Sequence, residues 1–79
     1  MIEYLFDNLP WYRKMAVLRA AKGWDQKDAA GFCLTNSKNY WIWEKGKSYP
    51  RLSSRKAIAD AYGLKIEDIF SAGDKLAEF

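Results

Sequence analysis

The sequence predicts one all-α domain of five short helices, and three observations carry that prediction. Apolar residues recur at helical spacing, the segments between them are closed by Gly, Pro and small capping residues, and strand signals are almost lacking. A chain of 79 residues suits a single domain with one small core. Aromatic residues at 16% let a few large side chains fill that core.

Residues 1–9 read as an apolar extension carrying Ile2, Tyr4, Leu5, Phe6 and Leu9, suited to a contact with the protein's own core or across a dimer. Asn8 or Leu9 followed by Pro10 opens the first helix, because the missing proline N–H is not needed in a first turn. Trp11, Met15 and Leu18 then share one face. Gly23 ends that helix, since a residue without Cβ takes the left-handed closing conformation at little cost. Asp25 caps the second helix, which places Ala29, Ala30 and Cys33 on one side. Asn36 caps the third, from about Ser37 to Lys45, with Tyr40 and Trp43 inward and a stop at Gly46. A loop through Pro50 leads to a fourth helix opened by Ser53 or Ser54, which holds Ile58, Ala61 and Tyr62 before Gly63. Ile66, Ile69 and Phe70 supply a last short helix, so the bundle proper spans 10–70, and Ser71-Ala72-Gly73 marks its exit into a tail, 71–79.

Composition narrows the function classes. The net charge of +3 conceals a basic middle: residues 8–59 hold eleven Lys/Arg against three acids, whereas both ends are acidic. One face attractive to polyanions is the implication, against the alternative of lysines that merely coat solvated helices. The single Cys33 forms no internal disulfide, no histidine exists, and no zinc spacing is present, so neither metal nor cofactor is expected. The opening residues lack the apolar length of a signal peptide, and no stretch approaches a membrane span; a soluble protein of the reducing cytoplasm is expected. An enzyme is not expected, for want of paired carboxylates at an apolar pocket, a phosphate-cradling loop, or enough chain to enclose a substrate.

Two short helices joined by about three residues, the second with a polar outer face, outline a helix-turn-helix. Gly23-Trp24-Asp25-Gln26, Glu44-Lys45-Gly46-Lys47, Pro50 and Ile58-Ala59-Asp60-Ala61-Tyr62-Gly63-Leu64 make the outline specific. In those residues the chain resembles the Cro and phage-repressor type of helix-turn-helix domain, the XRE-like family, over about Met15 to Phe70. The resemblance implies a lambda-repressor-like bundle that binds duplex DNA. It puts Asn36, Ser37, Lys38, Asn39 and Ile42 on the outward face of a recognition helix, toward base edges. It puts Gln26 at a phosphate, and Lys27, Lys45, Lys47 and Arg51 join it as cations that neutralise the backbone. Trp41 flanks that face, open to a sugar-phosphate contact, a dimer seal or simple cover of the bundle. Arg19 and Glu44 stand where similar domains pair an arginine of the first helix with the glutamate ending the third.

Three residues depart from the family pattern. Leu34 occupies the usual glycine of the turn, where a left-handed conformation costs about 1 kcal/mol, so this turn is open to remodelling. Asp25 replaces a Thr or Ser at the cap and brings a carboxylate close to the phosphate position. Arg55 takes a core leucine's place and must snorkel or find a partner. The expected function is sequence-specific binding of double-stranded DNA by a small transcriptional regulator, a repressor of phage or bacterial type, acting as a homodimer on half-sites about 34 Å apart. The competing expectation is a protein-interaction module, or an antitoxin, that keeps the fold as scaffold and uses its aromatic surface for a protein partner.

Overall fold

A computed structural model describes residues 2–77. Within them the chain is all-helical: α1 (Ile2–Asp7), α2 (Trp11–Lys22), α3 (Gln26–Phe32), α4 (Ser37–Glu44), α5 (Leu52–Tyr62) and α6 (Ile66–Ile69). There are thus six helices among the described residues where the sequence predicts five. The additional one is α1, formed because the upstream apolar residues come down beside α2: Leu5, Phe6 and Leu9 line a groove together with Val17, Leu18 and Leu64. A Lys14 ammonium over the Phe6 ring, 5.4 Å from its centroid, adds to that docking.

Capping chemistry sets most boundaries. Pro10 stands just outside α2, and its carbonyl accepts from the Arg13 and Lys14 N–H groups at 3.0 Å each. Asp25 and Asp28 form a reciprocal capping box on α3, with 2.8 Å from Asp28 N–H to Asp25 Oδ1. Asn36 Oδ1 accepts from Asn39 N–H at 2.8 Å and starts α4. Helix α5 begins at Leu52, ahead of the serines expected to open it, because Pro50 and the extended Arg51 already turn the chain into helical geometry. Ser53 and Ser54 therefore sit in its first turn and cap nothing.

Trp11, Met15, Ala29, Ala30, Cys33, Tyr40, Trp43, Ile58, Ala59, Tyr62, Ile69 and Phe70 form the core. The Tyr40 and Tyr62 hydroxyls hydrogen-bond each other inside it, and no buried side-chain N or O among the described residues lacks a partner. Residues 71–77 return to the bundle instead of leaving it. Ser71 N–H and Oγ donate to Asp74 at 2.8 and 2.9 Å, Trp11 Nε1 donates to the Lys75 carbonyl at 2.7 Å, and Ala77 N–H donates to the Gly46 carbonyl at 2.8 Å. Buried Trp11 has an N–H that needs an acceptor, and the tail supplies it.

Candidate nucleic-acid interface

Helix α4 divides cleanly. Tyr40 and Trp43 are buried, while Ser37, Lys38, Asn39 and Trp41 are exposed and Ile42 is half-buried. Its angle against the bundle is held by a bidentate pair: Arg19 Nε donates to Glu44 Oε2 and Arg19 Nη2 to Glu44 Oε1, both at 2.8 Å, and Arg19 Nη1 donates to the Trp24 carbonyl at 3.1 Å. The hydrogen bond and charge of Glu44 hold the Arg19 guanidinium more firmly protonated than usual, against the opposing effect of burial. Helices α2 and α4 and the loop that follows α2 meet at that one guanidinium.

The Glu44 side chain is only 8% exposed. No other acid lies between Ala29 and Ala59, so the outward surface of α4 and the following loop carries Lys38, Lys45, Lys47 and Arg51 with its one carboxylate turned inward. The Lys45 and Lys47 ammoniums lie 5.9 and 4.8 Å from the Trp41 ring centroid, which surrounds that half-exposed indole with positive charge. Arg55 has found a partner: Nη1 donates to the Pro50 carbonyl at 2.8 Å, and the guanidinium lies 5.0 Å from the Tyr49 ring centroid. The loop before α5 is thereby tied down from inside the helix it precedes.

Not every candidate falls equally well. Gln26 is half-buried and Lys27 exposed at the start of α3, yet Asp25 and Asp28 set two carboxylates at that same helix end. A phosphate there meets negative charge. Asn36 is exposed, but its Oδ1 is engaged in capping, which leaves only its NH2 group for a base. Ser53 and Ser54 read in the sequence as caps, because Ser before an apolar run is a capping signal. They line a shallow recess of about 400 Å³ with Leu34, Asn39 and Arg51. The amino end of α5 beside them has no side-chain cap. Pro50 fixes where that helix begins and so frees both serines from capping.

The turn between α3 and α4 keeps its left-handed residue despite lacking glycine: Leu34 has φ 59°. Cys33, next to it, is buried, and burial raises its thiol to about 12. No group of three or more His, Cys, Asp or Glu among the described residues is arranged to hold a metal ion, and no helix among them is long and apolar enough to cross a membrane. No protein-family model matches the chain, and no curated protein matches it either.

Proposed function

We propose that this protein is a small transcriptional regulator of repressor type that binds a specific duplex DNA sequence, with α3 and α4 as a helix-turn-helix and α4 in the major groove. The observation that carries this reading is the polar, basic outer face of α4, whose sole nearby acid is neutralised by Arg19 on the inner side. Ser37, Lys38 and Asn39 with the Asn36 amide group meet base edges, and Ile42 contributes an apolar edge. Lys45, Lys47 and Arg51 neutralise phosphates, joined by Ser53 and Ser54 at the uncapped amino end of α5. Gln26 and Lys27 take a lesser part because of the neighbouring carboxylates. Trp41, between two lysines, supports a sugar-phosphate contact.

With extents of 30 × 26 × 23 Å, one copy covers about one turn of duplex, ~34 Å. A homodimer on two half-sites follows as the way such a domain reaches useful specificity. A second reading, a protein-interaction module or antitoxin, is favoured by the apolar groove of about 640 Å³ between α1, α2 and Leu64.

Random-sequence DNA selection, followed by binding of the winner at two salt concentrations, tests the proposal. A two-fold symmetric motif is expected, with affinity that falls as salt rises, and Lys38→Ala is expected to cost about 1–3 kcal/mol in binding. If no motif emerges and Lys38→Ala changes nothing, the interaction module is the better description. Salt-dependent binding without a motif means nonspecific DNA association.

A further inference from the structure

Helices α2, α3, α4 and α5 all end in one hydrogen-bond pattern, in which two successive N–H groups reach back over the last turn. Gly23, Gly46 and Gly63 close three of them at φ 71°, 73° and 69°, and Leu34 closes the fourth at φ 59°. The pattern is complete there too: Leu34 N–H donates to the Gly31 carbonyl at 3.2 Å and Thr35 N–H to the Ala30 carbonyl at 2.9 Å. Among the described residues, glycine is used wherever that backbone is needed, except at the turn entering α4.

The leucine brings the fold nothing visible in return. Its β carbon opposes the left-handed conformation, and at 85% exposure it fills no part of the core. Strain together with an exposed apolar side chain is the kind of outlier from which function is inferred. Its surroundings say which function: Leu34 borders the recess that also holds Asn39, Arg51, Ser53 and Ser54. Among base edges in the major groove, thymine's is the one that presents a methyl group.

We propose that Leu34 is a specificity-determining residue that contacts the C5-methyl of a thymine beside the base met by Asn39. The inference rests on the DNA-binding reading. Once selection has defined the site, single replacement of each thymine by deoxyuridine removes the methyl and leaves base pairing intact. The protein is expected to lose about four-fold in affinity at one such position, the equivalent of one apolar carbon returned to water. Leu34→Gly and Leu34→Asn both accept the left-handed turn, so their thermal midpoints should equal or exceed that of the unmodified protein while the deoxyuridine penalty disappears.

A deoxyuridine penalty that persists in both variants overturns the proposal. So does an unmodified protein indifferent to every thymine methyl, a result that leaves the DNA-binding reading standing. Lower midpoints in both variants assign Leu34 to the fold and overturn it as well. If the unmodified protein selects no sequence, the DNA-binding reading fails first and this proposal with it.

Discussion

At the scale of single residues, Glu44 has the largest consequence. It is the one acid of the segment 29–59, and its two oxygens accept two hydrogen bonds from Arg19 at 2.8 Å. Removal of one partner from a largely buried pair leaves the other charge without compensation. Such a loss costs about 3–5 kcal/mol, and since the Arg19 side chain is 23% exposed and regains some water, Glu44→Ala is expected at the lower end, about 3 kcal/mol. Chemical denaturation followed by circular dichroism measures it. A variant with unchanged stability would show that the pair does not hold α4 to α2. The sequence showed these two residues only through a family likeness, because residues twenty-five positions apart carry no local signal of contact.

At the scale of elements, the closing turns differ in what surrounds them. A Cβ at Gly46 would stand 2.8 Å from both the Ala77 Cβ and the Tyr12 ring, whereas one at Gly23 or Gly63 meets nothing within 4 Å. All three substitutions to alanine incur the left-handed penalty of about 1–2 kcal/mol, and Gly46→Ala adds a clash with the returning tail. Gly46→Ala should therefore be the most destabilising by at least about 1 kcal/mol in thermal or urea melts. Equal losses at all three positions would mean that the tail yields without cost. Helix ends were legible because Gly, Asp25, Asn36 and Pro50 act on their nearest neighbours. The start of α5 differs from the sequence expectation because Ser53 and Ser54 mimic a cap, while Pro50 and Arg51 already set the backbone. Helix α1 is not legible in the sequence because a short apolar segment has no cap signal, and it docks on α2.

At the scale of the whole molecule, the core couples stability to alkaline pH. Burial raises the Cys33 thiol from 9.0 and the Tyr62 hydroxyl from 10.0, each to about 12, and raises Tyr40 as well, with its hydrogen bond to Tyr62 as the second cause. In the unfolded chain these groups lose their protons first. Their contribution to stability is thus complete below about pH 9 and is lost as pH rises toward 12. The thermal midpoint should stay level up to that onset and then fall. In Cys33→Ala the onset should move to about pH 10, where the unfolded tyrosines titrate. A midpoint unchanged at pH ~11 would contradict the burial of all three.

Local sequence accounts for the set of elements and their faces: where α2, α3, α4 and α6 lie, where α5 ends, which aromatics turn inward, and that positive charge gathers in the middle of the chain. Those properties depend on residues within one or two turns of each other, so periodicity and capping reveal them. Packing across the fold is what turns Glu44 inward to Arg19 and returns residues 71–77 to Trp11 and Gly46. It also brought Ser53, Ser54 and Arg51 to the same recess as Asn39, and held Leu34 left-handed and exposed at its edge. Each of these outcomes turns on which backbone or charged group lies nearest across the fold, and packing, not local propensity, sets that distance.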